Sequence, residues 1–316
     1  MKVLPLDSPD PRIKTRVDSA RIAEIRLQSA YGLTAKEHDI PIKKYQSSIR
    51  VCVYGDEKAK PLLMVPGNTG DGFVLIPLIA QFKGFRVILM NRPGGGLSPG
   101  FDHRLFNLKE LAVDSIEAVL DWFEIASAPI IAHSMGGHWS LWFSAERPKR
   151  VEKLILPGVP GNVLGTKPPR PLRLAAVPIV NRLAFSFISM KSASAPLGGL
   201  AFMGHSKETI SALPSAMSDC YSAFQKLPNC KISTLSLMET VSRKENCIGT
   251  DLLERIKSPV LMVWGEKDPF GTLEQAHRIS NVLPSATLEV MKGAGHLPWL
   301  DDAGKVGELA SGFIQA

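Results

Sequence analysis

Strand-like and helix-like runs alternate along most of this 316-residue chain, which predicts an α/β fold with a mostly parallel sheet and helices on both faces. Three observations carry that reading. Short apolar runs recur at 61–65, 85–90, 128–133, 151–156 and 259–264. A helical apolar stripe, Leu111, Ile116, Val119, Leu120 and Phe123, lies between two of them. Glycine-bearing turns follow the runs that end at 65, 90, 264 and 291. With the runs at 38–43, 49–54 and 287–291, the sheet is expected to have eight strands.

In chain order, residues 1–34 read as a helical lead, with Val17, Ile22, Ile25 and Ala30 spaced to pack on the body or to form a dimer contact. Residues 35–158 and 253–316 read as the core, with helices at 73–82, 108–124 and 137–146 and a last helix starting near Asp301 and Asp302. Both aspartates are expected to stabilise that helix start. The alternation lapses over 159–252, which is rich in proline, serine and methionine and has helical fragments at 174–188 and 206–216. This stretch reads as an inserted, mainly helical cap. Its Phe185, Phe187, Met190, Phe202 and Met203 are candidates either to line a pocket or to form the cap's own core.

Hydrophobic residues make up 45% of the chain and charged residues 21%, an ordinary globular balance. The formal net charge of +7 comes with only 7% aromatic residues and no recognition motif, so nucleic acid is not an expected partner. Between 161 and 206 there is no Asp or Glu, whereas Lys167, Arg170, Arg173, Arg182 and Lys191 are present; an apolar substrate with an anionic end, or an anionic lipid surface, would suit that charge. The least polar long stretch, 172–190, is broken by Arg173, Pro178, Asn181 and Arg182, which argues against stable membrane insertion. The first residues lack an apolar core of secretory-signal length, so a cytoplasmic location is expected. Cys52, Cys220, Cys230 and Cys247 show no metal-ligand spacing; no metal is expected, and reduced thiols are.

The chemistry centres on Ala132-His133-Ser134-Met135-Gly136, between the run at 128–131 and the helical run that follows. A strand, a small-residue turn and a helix form the setting of a nucleophile elbow, which lifts a serine hydroxyl above a sheet. The alternative is an idle serine in a buried turn. A serine needs a base, and the base needs an acid to fix its tautomer. His296, in the loop Gly293-Ala294-Gly295-His296-Leu297-Pro298, and Asp268, in the turn Gly265-Glu266-Lys267-Asp268-Pro269, each follow a strand-like run expected to be buried. Glu266 is a rival acid. His133 is expected to pack beside the site, and His138 to serve the core or face solvent.

Taken together these motifs resemble the α/β-hydrolase fold superfamily, of the cap-containing serine esterase type, from about residue 48 to the end, the cap excluded. The loop Val65-Pro66-Gly67-Asn68-Thr69-Gly70 stands where that family has its His-Gly oxyanion loop, with Pro66 in the histidine's place. Asn91-Arg92-Pro93-Gly94-Gly95-Gly96-Leu97-Ser98 is similar to its D-x-x-G-x-G-x-S turn, with Asn91 for the aspartate. The resemblance implies that the backbone N–H groups of Asn68 and Met135 form an oxyanion hole, with no cofactor. It also implies a Ser-His-Asp hydrolase acting on a carboxylic ester or related acyl compound; separately, a monomer or homodimer is expected. A C–C bond hydrolase, an amidase or a lactonase would use the same triad. A non-catalytic ligand-binding or sensing protein of the same fold is the alternative from another class.

Overall fold

Each sheet strand alternates its side chains between two apolar layers, and that period of two defines the architecture. The protein is described by a computed structural model, which covers residues 3–4, 6, 8–67, 71–158, 161–170, 173, 177, 180 and 196–316. Its elements run β1 (Val3–Leu4), α1 (Pro11–Ala30), β2 (Lys36–Ile42), β3 (Ser47–Tyr54), β4 (Lys60–Val65), α2 (Ile76–Ile79), β5 (Phe85–Met90), β6 (Gly100–Phe101), α3 (Leu108–Trp122), β7 (Ala128–Ala132), α4 (Met135–Glu146) and β8 (Val151–Pro157). There follow α5 (Gly198–Phe202), α6 (Lys207–Ala212), α7 (Ser215–Phe224), α8 (Pro228–Val241) and α9 (Thr250–Leu253). The chain then completes β9 (Val260–Gly265), α10 (Leu273–Val282), β10 (Ala286–Met291), α11 (Pro298–Asp301) and α12 (Ala303–Gln315).

Eight strands form one sheet in the order β10-β9-β8-β7-β4-β5-β3-β2. Only the pairings of β3, with β2 and with β5, are antiparallel. The short β1 and β6 pair separately. Along β4, Leu63 and Val65 join the core layer that holds Ile116, Trp139 and Ile279 of α3, α4 and α10. Leu62 and Met64 join the opposite layer, with Leu27, Leu78 and Ile314 of α1, α2 and α12. Because β4, β7, β8, β9 and β10 all run the same way, the loops at their carboxyl ends gather along one edge of the sheet.

Local signals account for the helix ends. Asn107 caps α3 by accepting the Glu110 N–H, Asp302 caps α12 through Lys305 N–H, and Thr272 with Gln275 forms a capping box at α10. α4 buries every residue from Met135 to Ala145, which suits a helix with apolar and small side chains all round.

Several expectations are corrected. In α1 the buried residues are Ala20, Ala23, Glu24, Leu27 and Gln28, while Ile22 and Ile25 are exposed. The reason is a polar contact: Glu24 Oε2 lies 2.6 Å from Arg50 Nη2 on β3, and Gln28 Nε2 donates to Tyr54 Oη at 3.2 Å. The run at 73–82 is a 3-10 turn, Gly72–Leu75, followed by the four-residue α2. β10 is an edge strand and only half-buried, so the strand before His296 is not a buried one. Between β8 and β9 the described residues form helices and turns, together with one parallel bridge, Val163 to Ile248. All of the fragment at 174–188 except Val177 and Val180, including Phe185, Phe187 and Arg182, lies outside the described residues, as do Met190 and Lys191.

Both members of the Arg50–Glu24 pair are almost fully buried. Arg50→Met alone leaves the Glu24 carboxylate buried without its cation and should cost about 3–5 kcal/mol, whereas Glu24→Leu with Arg50→Met should recover most of it. Thermal unfolding of the single and double variants checks the ordering.

Candidate active site

The turn after β7 is held from both sides. His133 N–H donates to Val65 O at 3.0 Å and Ser134 N–H to Gly158 O at 3.1 Å. Ser134 takes φ 50°, ψ −117°, a conformation L-residues avoid and that stores strain of order 1–3 kcal/mol. Gly136 permits it: a Cβ there would sit 2.2 Å from Val65 O and 2.6 Å from Pro66 O. Ala132, standing where the elbow pattern has a first glycine, is buried in the core layer with Trp139.

Ser134 Oγ donates to His296 Nε2 at 2.9 Å, and His296 Nδ1 donates to Asp268 Oδ2 at 2.8 Å. An ionised carboxylate only accepts, so the proton of neutral His296 sits on Nδ1 and the Nε2 lone pair faces the serine. Asp268 Oδ1 also accepts the Phe270 N–H at 2.8 Å. The Phe270 ring stacks on His296, centroids 4.0 Å apart and 17° from parallel. The structure thus brings together the three side chains singled out in the sequence, all buried. Met135 opens α4, where a backbone N–H has no acceptor within its own helix. Asn68 lies outside the described residues; its neighbour Gly67 packs on the serine, since a Cβ on Gly67 would lie 3.4 Å from Ser134 Cβ.

The rival groups are engaged elsewhere. Glu266 is exposed and accepts the Gly293 N–H at 2.9 Å. His138 is buried under Trp142, and burial pulls its pKa down to about 4. His133 places Nε2 3.2 Å from His296 O, and burial first, then the neighbouring His296, keeps it neutral well below the ordinary 6.5. Asp302 caps α12, but Asp301 turns inward and accepts the Gly295 N–H at 2.9 Å. Gly158, the residue directly after β8, faces the His296 loop. A Cβ there would lie 2.0 Å from His296 O, so no side chain fits.

One group had no sequence signal as a site residue. Arg92, fully buried, donates Nε to Pro66 O at 3.1 Å and Nη2 to Gly67 O, and lies over the Trp139 ring. Burial lowers its pKa to about 9, so it stays charged at neutral pH and braces the loop after β4. In the sequence it reads only as the second residue of a glycine-rich turn. Among the described residues, no group of three or more His, Cys, Asp or Glu could hold a metal ion, and no helix is long and apolar enough to cross a membrane.

A serine at positive φ after a central parallel strand, bonded to a histidine that is bonded in turn to a carboxylate, both from later strand ends, defines a nucleophile-elbow protein. The family comparison agrees: residues 60–303 match the model of the alpha/beta hydrolase fold, and the chain belongs to that family. It is 26% identical over 241 residues to the 2-hydroxy-6-oxononadienedioate/2-hydroxy-6-oxononatrienedioate hydrolase 2 of Pseudomonas putida, covering 76% of this chain and 80% of that one. Among solved structures it is similar to carboxylesterase CesB from Bacillus subtilis, with TM-score 0.74, 18% identity and coverage of 95% and 98% of the two chains. It is also similar to the 2-hydroxy-6-oxo-6-phenylhexa-2,4-dienoate hydrolase of Rhodococcus sp. strain RHA1, with TM-score 0.71, 20% identity and coverage of 90% and 100%.

The clearance at Gly136 makes a direct prediction. Gly136→Ala drives a methyl group against two backbone carbonyls, at 2.2 and 2.6 Å, so helix and strand must part. A loss of about 1–3 kcal/mol in thermal or urea unfolding is expected.

Proposed function

We propose that this α/β hydrolase cleaves a carboxylic ester or related acyl compound through an acyl-enzyme on Ser134. The observation that carries the reading is the continuous chain Ser134 Oγ, His296, Asp268, with links of 2.9 and 2.8 Å. Ser134 Oγ attacks the carbonyl carbon as His296 Nε2 takes its proton. The tetrahedral oxyanion is held by the N–H groups of Asn68 and Met135, each donor worth about 3 kcal/mol. Protonated His296, stabilised by Asp268, gives its proton to the departing alkoxide. Water then attacks the acyl carbon, His296 takes the water's proton, and collapse of the intermediate returns that proton to Ser134 and frees the acid.

The region 159–252 acts in this reading as a cap over the serine. Support comes from its neck, where Leu164 N–H donates to Ile248 O and Ile248 N–H to Asn162 O, both at 2.9 Å, closing the insertion on itself. Lys167, Arg170 and Arg173 contribute positive charge to it, which favours an apolar substrate with an anionic end. In this reading the protein works as a monomer or homodimer in the cytoplasm. A second reading is hydrolysis of a C–C bond in a ring-cleavage dienoate. It is favoured by the names of the Pseudomonas putida and Rhodococcus proteins.

A fluorophosphonate should add to Ser134 in intact protein and leave Ser134→Ala unmodified, as read by mass spectrometry of the peptide. Asp268→Asn should lower kcat by about 10⁴-fold through the wrong His296 tautomer. An unlabelled wild type beside a labelled control hydrolase would favour the non-catalytic, ligand-binding alternative. A substrate panel separates the two chemistries. p-Nitrophenyl acyl esters with and without a terminal carboxylate should be cleaved, the carboxylated ones with a kcat/KM that falls as salt rises. Faster turnover of a 2-hydroxy-6-oxo-dienoate than of every ester would favour the second reading.

A further inference from the structure

The short segment between α5 and α6 leaves the insertion and threads between the loops that carry Asp268 and His296. His296 N–H donates to Met203 O at 2.8 Å, and Leu297 N–H donates to His205 Nε2 at 3.3 Å. Gly204, at φ +90°, lies flat on the Asp268 turn: a Cβ there would stand 2.2 Å from Lys267 O. Gly295 lies equally close on the other side, where a Cβ would meet Met203 O at 2.7 Å and His205 Cε1 at 2.9 Å. Three backbone segments therefore meet with no room for a side chain at Gly204 or Gly295, and the His205 side chain reaches through the junction.

The His205 ring has no solvent-accessible surface, and its Nδ1 lies 2.9 Å from Asp301 Oδ2. The same carboxylate accepts the Gly295 N–H at 2.9 Å and, through Oδ1, the Thr209 hydroxyl at 2.8 Å. Burial pushes the Asp301 carboxyl up, but His205 and the Gly295 amide outweigh it and hold the group below the ordinary 3.8, ionised at neutral pH. The tautomer follows from the donors. Leu297 can donate only to a lone pair on Nε2, so the ring that accepts it carries its proton on Nδ1, which lies in close contact with Asp301 Oδ2 rather than in an aligned hydrogen bond.

We propose that His205 is a positioning residue for the proposed catalytic base. Oriented by Asp301, it accepts the amide that follows His296 and so sets the height of the imidazole between Ser134 and Asp268. The inference rests on the serine-hydrolase reading above and adds a residue of the insertion to its machinery. A histidine–carboxylate pair beside the His296–Asp268 pair thus touches no reacting atom and acts through backbone. Displacement of the base by about 1 Å is enough to slow such chemistry by about 10²-fold.

The test compares His205→Leu, which keeps the volume and loses the acceptor, with His205→Gln, whose amide oxygen can accept near the Nε2 position. The readouts are the second-order rate of fluorophosphonate labelling of Ser134, kcat and KM on a p-nitrophenyl ester, and the melting temperature. His205→Leu is expected to label about 10- to 100-fold more slowly than wild type with KM within about threefold, and His205→Gln to keep most of the rate. Equal labelling rates for the two variants would overturn the proposal, as would a change confined to KM. If His205→Leu does not fold, the isosteric Asp301→Asn decides: slowed labelling is expected, and a wild-type rate overturns the positioning role. An unlabelled wild type would defeat the serine-hydrolase reading itself, so the two failures are distinct.

Discussion

Two carbonyl oxygens, Val65 O and Gly158 O, hold the consecutive amides of His133 and Ser134, and the geometry of the site depends on that clamp. They belong to the ends of β4 and β8, the strands on either side of β7, so the serine turn is tied to both neighbouring loops at once. The cost is a strained Ser134 backbone, which persists only because the surroundings leave it no alternative. Gly136 presses the start of α4 onto the same Val65 carbonyl, and Gly158 gives up its side chain so that the His296 loop can approach. Serine, base and the loop after β4 are thereby set by main-chain packing before any side-chain chemistry begins.

Electrostatics complete the arrangement. His133 and His138 are kept neutral by burial, so among these rings only His296 stands between a hydroxyl and a carboxylate. Arg92 is a buried cation whose donors go to Pro66 O and Gly67 O. A fixed positive charge behind that loop biases the local potential toward anions, at a place where water cannot screen it. Phe270 covers one face of His296 while its amide holds Asp268, so one residue shields the imidazole and orients the carboxylate.

Much of this was legible in the sequence because buried parallel strands announce themselves as short apolar runs, and Ser134 and Asp268 each follow one, while His296 follows a strand-like run at the sheet edge. What escaped did so for physical reasons. α1 turns a partly polar face inward because Glu24 and Gln28 have partners on β3, so its apolar period does not mark the face packed on the body: Ile22 and Ile25 face outward, where the dimer-contact alternative would place them. The run at 73–82 has helical hydrophobicity, yet the chain completes only a 3-10 turn and one short helix there. β10 follows the strand pattern but lies at the sheet edge, where burial is halved. Asp301 and Asp302 look alike in sequence, and only the presence of His205 from a remote segment separates their roles. A lone histidine in an irregular insertion, or an arginine in a glycine-rich turn, carries no periodicity from which burial could be read.

The described part of the insertion is stitched to the core at separate seams. Asn229 donates to Gly96 O and Ser98 O at 3.0 and 2.8 Å, fastening α8 to the glycine turn after β5. Ser233 and Ser236 accept the amides of Phe101 and His103 at 3.0 and 3.1 Å. Arg278 of α10 donates to Leu164 O at 2.7 Å beside the neck, and Met203 accepts the His296 amide. A rigid outward swing of the whole insertion would break all of these together, each buried bond worth about 0.5–1.5 kcal/mol and leaving unpaired polar groups behind. It would also release the backbone of His296, so an insertion opened in that way would leave the imidazole without its main-chain support. If His296 is the base and the insertion covers the site, as proposed, admission of substrate and alignment of that base would be coupled through Met203 and His205, and the insertion would belong to the catalytic frame as well as cover it.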